Sequence, residues 1–470
     1  MNVRPNPRRA RWLALFAGAA FALAGCDAPD AHFHVNTVYA HNQQRAVGQA
    51  IQQQHLQDIA TILAATFGTP DEPHVPQLES GALHDVLDQD KLELAAGAVA
   101  SDEQGRPQGL YREHCAHCHG ITGDGQGPTA AFLNPYPRDY RPGLFKFKST
   151  PIGSKPTHDD LKRIVVEGIP GTAMPSFRLL SNPELDALVH YVKYLAIRGE
   201  VERLLIQEAV LELGEDDRLV DLNARQSDPE TYRDQLDLIE SYVDEVAQKW
   251  VVAETEVTPV PAPPEDLNFL GKVELWNDHY REEIMVLYNA ADPAQDQEAR
   301  IASVAQQLEL EEEAVADVLT LDASVQRGRE LYYGQVANCV KCHGDSALGD
   351  GQTTDYDNWT KEIEPDKPDA LHEYLSLGAL EPRNSEPRNL RQGVYRGGRR
   401  PIDIFWRIYN GIEGTPMPKA LTKPDNAPPE QVGLTTRDLW DLINYVRSLP
   451  YESVSKPVGL QPAYERDRPL

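Results

Sequence analysis

The sequence predicts a mainly α protein in which two similar helical units are joined by an acidic helical segment. Three observations carry this. A short cysteine–histidine pattern occurs twice, as "CAHCH" from Cys115 to His119 and as "CVKCH" from Cys339 to His343. Each copy is followed by a methionine in the same local string, G-I-x-G-T-x-M-P, around Met174 and Met417. Each unit then closes on a stretch whose apolar residues recur at helical intervals: Leu185, Leu188, Val189, Val192 and Leu195 in one, Leu439, Leu442, Ile443, Val446 and Leu449 in the other.

Taken in order, the chain opens with a targeting segment at residues 1–25. The basic "RPNPRRAR" precedes the apolar "WLALFAGAAFALAG". That run suits a signal peptide and is short for a membrane span, which needs roughly 20 residues. It ends in "LAGC", which resembles a bacterial lipobox, so Cys26 is the expected lipidation site and the mature N-terminus. Asp27 after it favours retention in the inner membrane, by a rule that transfers poorly between bacterial groups. Removing residues 1–25 deletes Arg4, Arg8, Arg9 and Arg11 and no acid, so the mature chain is more acidic still. Residues 26–94 form an N-terminal stalk segment, with a helix expected over "RAVGQAIQQQHLQDIATILAATF" that either stands free or packs on the first unit.

Both repeated units read alike. An aromatic-bearing helix precedes the cysteines, glycine follows the histidine, and a GDG turn comes next. "PRDYRPG" from Pro137 matches "PRNLRQG" from Pro387. Ser181 with Glu184, and Thr435 with Asp438, have capping-box spacing at the start of the closing helices. Residues 201–321 between the units are acidic and helical, interrupted by a proline-rich joint, "VTPVPAPPED", that cannot lie inside a helix. Residues 456–470 form a tail.

Composition restricts the chemistry. The formal net charge of −28 argues against nucleic acid, because phosphate binding needs clustered Lys and Arg. With 41% hydrophobic residues the chain is globular, and its acidity serves solubility or docking to a basic partner. Of the five cysteines, Cys26 is assigned to lipid and four remain as two C-x-x-C pairs. A redox dithiol would need a βαβ setting, and neither motif has one. A Cys₄ zinc site is the competing reading. A zinc ribbon, however, has roughly 15–20 residues between its pairs, whereas here the whole stretch from Cys118 to Cys339 intervenes. C-x-x-C-H is the attachment signature of c-type haem: two thiols add to the haem vinyl groups and the adjacent histidine reaches the iron. Cys115, Cys118 and His119 are therefore the expected anchors of one covalent haem c, and Cys339, Cys342 and His343 of a second. A second axial ligand is then needed. The chain has four methionines, and Met174 and Met417 are the two that follow a haem motif in the repeated string. Met285, in "REEIMVLY", is expected in a helix core. Arg138 and Arg388 hold matching places and suit either a haem propionate or a backbone carbonyl.

This repeat resembles the class I cytochrome c domain family twice over, at residues 95–200 and 322–455. The resemblance implies two class I folds, with His119 and Met174 on one iron and His343 and Met417 on the other. It also implies that the first and last helices cross at a glycine and an aromatic, for which Gly109 with Tyr111 and Gly328 with Tyr332 are candidates, facing Tyr191 and Tyr445. The second copy departs from the compact pattern by an insertion around "NWTKEIEPDKPDALHEY".

The function expected is single-electron transfer by a membrane-tethered dihaem cytochrome c on the periplasmic side, between a donor and an acceptor that are redox proteins, either a respiratory complex or a soluble cytochrome. Histidine–methionine ligation fills both axial positions and raises the potential. Two other classes are weighed against it. One is a dihaem peroxidase-like enzyme, whose peroxide-binding haem needs a distal position that can open; two equivalent methionine loops speak against it. The other is a cytochrome subunit of a larger respiratory or dehydrogenase complex.

Overall fold

The computed structural model describes residues 30–103, 105–267, 280–351 and 355–458. Cys26, Asp27, the segment 1–25 and residues 459–470 of the tail lie outside the described residues. Helices dominate, and the described strands form one two-stranded antiparallel ribbon pairing Ala100–Ser101 with Pro107–Gln108. No helix among the described residues is long and apolar enough to cross a membrane.

The first unit is built around the helix Asn182–Leu211. Its start is fixed by Ser181, whose backbone N–H donates to the Glu184 carboxylate at 2.6 Å. The helix is buried nearly all round, from Leu185 to Val210. Such a helix needs cover on every side. Thr37–Val47, Gln53–Phe67, Gln89–Ala95, His158–Glu167 and Pro229–Ala253 supply it. The boundary expected at residue 200 therefore falls inside one continuous helix. The N-terminal segment is part of the same core: Ile59, Leu63 and Phe67 are fully buried with Tyr191 and Tyr194. The Tyr194 hydroxyl donates to the Phe67 carbonyl at 2.7 Å, and Tyr191 to that of Pro70 at 2.8 Å. Each such apolar side chain contributes about 1.5–3 kcal/mol by burial, which is why this segment lies against the unit. The helix expected from Arg45 is in fact two, because Gly48 closes the first in the left-handed region at φ 77°.

From 201 to 253 the expected linker also belongs to the first unit. Trp250 is fully buried there and its indole N–H donates to Glu200 at 3.0 Å. The hairpin of Tyr280–Ala290 and Gln297–Leu308, with the start of Glu312–Tyr333, has a small core of its own, centred on Ile284, Val304 and Val315. The strap between is not a loose joint. Thr258 is buried; its N–H donates to the Ser149 carbonyl at 2.9 Å, and its carbonyl accepts from the Trp406 indole at 3.0 Å. It is wedged between the two units.

The second unit crosses Glu312–Tyr333 over Thr436–Ser448. At the crossing Gly328 lies so close to the Asp441 carbonyl and Tyr445 that a Cβ would overlap both. Gly109 does not play that part in the first unit. It sits at φ 71° before Leu110–His114, packed on Ala98. The tyrosines, not the glycines, are the equivalent positions: Tyr111 packs on Tyr191 with ring centroids 4.8 Å apart, and Tyr332 on Tyr445 at 5.3 Å.

Candidate functional site

Each C-x-x-C-H forms a single helical turn, Ala116–His119 in the first unit and Val340–His343 in the second. His119 N–H donates to the Cys115 carbonyl and His343 N–H to that of Cys339, both at 2.9 Å. One turn brings residues i and i+3 to the same side, so each pair of thiols shares a side of its turn. All four cysteines are free. Cys115 packs against the first core and Cys339 against the second, so the two pairs lie in separate units. Among the described residues no group of three or more His, Cys, Asp or Glu is gathered for a metal ion. Burial pushes the Cys115 and Cys339 thiols up to about 12.

The histidines are oriented identically. His119 Nδ1 lies 3.0 Å from the Arg138 carbonyl, and His343 Nδ1 lies 3.2 Å from that of Arg388. A carbonyl only accepts, so Nδ1 carries the proton and Nε2 keeps its lone pair free for a metal. Burial lowers both rings, His119 to about 4 against the opposing pull of the Arg138 carbonyl, so each is neutral at pH 7. The His119 ring also stacks on Tyr140, with centroids 4.8 Å apart. The GDG turn brings the carbonyl into place. A Cβ on Gly125 would stand 2.9 Å from the Pro137 carbonyl, and Gly349 is packed as closely on that of Pro387. Tyr111 and Tyr332 donate to the carbonyls of Gly120 and Gly344, at 2.9 and 3.0 Å, and tie each turn to the helix before it.

The methionine loops share one hydrogen-bond pattern. Ile169 N–H donates to the Met174 carbonyl at 3.2 Å, and Ile412 N–H to that of Met417 at 3.1 Å. The Thr172 and Thr415 hydroxyls donate to the carbonyls of Ile169 and Ile412, at 2.7 and 2.8 Å, and accept from Met174 and Met417 N–H, at 3.1 and 3.3 Å. The threonine in G-I-x-G-T-x-M-P thus fixes the backbone of the methionine. Both methionines are half-buried. Met285 stands apart, half-buried on Tyr280–Ala290.

The arginine side chains leave the histidine sites and enter the seam between the units. Arg138 lies 4.0 Å over the ring of Trp359, in the insertion of the second unit. The sequence gives no sign of that role for Trp359, because the first unit has no matching segment. Lys146 and Lys148 are in the seam too. Lys148 forms a buried ion pair with Glu413, and Lys146 faces Asp357 at 3.8 Å. Among the other histidines, His190 is buried and accepts from Asp88 N–H at 3.2 Å, while His114 packs near Phe177.

These residues fit haem c on their own geometry. Two free thiols and an imidazole with a bare Nε2 share one turn in each unit, and the Nε atoms of Arg388 and Arg396 are buried without a partner. Buried unpaired donors of this kind call for an anion or water.

The family described as cytochrome c oxidase, cbb3-type, subunit III matches residues 102–192, and the family described as cytochrome c matches residues 325–450. No curated protein matches the chain. Among solved structures, a reducing HAO-like protein complex of Kuenenia stuttgartiensis is similar over 75% of this chain and 99% of its own, at 19% identity and a TM-score of 0.38. The polypeptide carries two domains of the cytochrome c family in series, and its fold is mainly α.

Proposed function

We propose that the protein is a dihaem electron carrier, binding one covalent haem c in each domain and exchanging single electrons with redox-protein partners. Cytochrome c domains imply haem-based electron transfer. The observation that supports two equivalent sites is the repeated hydrogen bonding: each histidine is held by an arginine carbonyl, and each methionine by a threonine. When bound, haem c supplies an iron that gains and loses one electron. Cys115 and Cys118, and Cys339 and Cys342, would hold the group by thioether bonds. His119 and His343 offer Nε2, with the proton kept on Nδ1. Met174 and Met417 would offer the thioether sulfur as a further ligand, which raises the potential of a haem. Tyr111, Tyr332 and the apolar cores keep the attachment turns fixed, so little rearranges when charge changes.

In this reading Cys26 carries lipid and tethers the protein to the periplasmic side of a bacterial membrane, with Asp27 weakly favouring the inner one. A second reading, a cytochrome subunit of a larger respiratory complex, is favoured by the match of residues 102–192 to an oxidase-subunit family. Pyridine haemochrome quantitation with a spectroscopic redox titration tests the proposal. Two covalent haems per chain and two low-spin waves are expected. A high-spin centre that binds peroxide would replace the carrier by an enzyme, and co-purification with oxidase subunits after mild extraction would favour the second reading.

A further inference from the structure

The seam between the units gathers four cations, and the acids that feel them are Asp357, Asp139, Glu413 and Glu386. Arg138, Lys146, Arg396 and Arg388 are electrostatic neighbours in a chain: Lys146 feels both Arg138 and Arg396, and Arg396 feels Arg388. Among the described residues the one carboxylate in ion-pair range of any of the four is Asp357, at 3.8 Å from Lys146. Glu413 is taken by Lys148 and by the Gly153 N–H. Burial withdraws all four from water and lowers Lys146 to about 7. Charges withdrawn from water are retained where an anion answers them.

The four are also two equivalent pairs. Aligning "PRDYRPGLFK" with "PRNLRQGVYR" matches Arg138 to Arg388 and Lys146 to Arg396. The next position matches Phe147 to Gly397, and these two meet: a Cβ on Gly397 would stand 2.6 Å from the Phe147 ring. A position that meets its own equivalent is the contact expected of two units facing each other about an approximate twofold axis. Both arginines reach across that axis. The Arg388 guanidinium lies 2.7 Å from where a Cβ on Gly171 would be, in the Met174 loop. Arg138 stacks on Trp359, and Trp359 packs on Gly414 in the Met417 loop. Gly171 and Gly414 are the same glycine of G-I-x-G-T-x-M-P. Each arginine therefore holds the histidine of its own site through its carbonyl and points toward the methionine loop of the other, Arg388 directly and Arg138 through Trp359.

We infer that this seam is a single carboxylate-binding site, formed by Arg138, Lys146, Arg388 and Arg396, that takes the propionates of both haems at once. The inference rests on the dihaem reading above and deepens it. Each haem brings two carboxylates, and guanidinium groups pair with carboxylates in bidentate fashion. The two centres then share one set of cations and titrate as an interacting pair. A cation near an iron disfavours its oxidised form, so removing one lowers the potential of every haem that feels it.

The test uses the full-length protein loaded with haem. Arg396→Gln removes charge from the second unit and Lys146→Gln removes it from the first. Spectroelectrochemistry is expected to show both waves moving to lower potential in each variant, with two haems retained by pyridine haemochrome. Arg396→Lys should return both waves toward the wild type. Labelling the haem propionate carboxylates with carbon-13 gives an independent readout, in which the redox-difference infrared bands of both haems move with either substitution. If each substitution moves only the wave of its own unit, or moves neither, the shared site is overturned and the dihaem reading stands. A wild-type chain with fewer than two covalent haems overturns both.

Discussion

The two domains present the same site from different bodies. In the first, the closing helix is 30 residues long and is sheathed by helices from both ends of the domain. In the second it is 13 residues long and leans mainly on one partner, Glu312–Tyr333. Yet the histidine–carbonyl bond, the tyrosine that closes the attachment turn and the threonine that holds the methionine recur within a few tenths of an ångström. The chemistry proposed for the site constrains the immediate frame of the candidate ligands. How the rest of the apolar surface is covered is free to differ.

That contrast can be broken most forcefully at Trp250, which belongs to the sheath of the first domain. Trp250→Ala should destabilise the first domain by about 3–5 kcal/mol, as large-to-small changes in a core do, and leave the second unmoved. Thermal unfolding followed at each haem would show one transition shifting. A common shift of both would mean that the domains melt as one body.

Next in size is the proposed methionine ligand. Met174→Ala and Met417→Ala should each lower one potential by on the order of 100 mV, a fraction of the roughly 0.8 V range that axial ligation spans, with covalent attachment intact. An unchanged titration in either variant would remove that methionine from the ligand set.

Acid sharpens the comparison further. His190 in the first domain stands where Asn444 stands in the second. Its Nδ1 accepts from Asp88 N–H, and burial, with Lys91, His158 and Lys193 nearby outweighing Asp88, lowers it to about 4. The unfolded ring titrates near 6.5. The unfolded state therefore takes up the proton first, and the first domain loses stability as pH falls from about 6.5 toward 4. His190→Gln should flatten that limb in a pH series of denaturant melts; an unaltered limb would assign it elsewhere. Smallest is the effect expected to be equal in both domains. Tyr111→Phe and Tyr332→Phe each remove one buried hydrogen bond to a carbonyl, worth about 1 kcal/mol. Calorimetry should return matching losses, and a large inequality would show that the two frames are not energetically alike.

The local frame of the candidate site is legible in the sequence because its parts are local. A C-x-x-C-H turn folds on itself, and the methionine loop is fixed by a threonine two residues away, so both leave a signature in a short string. The sheath was less legible. Nothing in "LQDIATILAATF" says that Leu63 and Phe67 pack on Tyr194, more than a hundred residues on, and amphipathicity alone leaves a stalk open. The seam was the least legible. Trp359 lies in a segment that has no repeat to compare with, and Lys148 reads as an exposed lysine until Glu413 closes on it. Gly109 misled because a glycine near an aromatic was aligned by proximity, whereas the aligned pair is Tyr111 and Tyr332.

The buried strap at Thr258 has a mechanical corollary. A connection that is itself mortar between two blocks cannot serve as a leash, so the spacing of the two redox centres is a property of the folded chain and not of diffusion. Internal exchange of charge should then be indifferent to solvent viscosity, while delivery to outside proteins slows as the medium thickens.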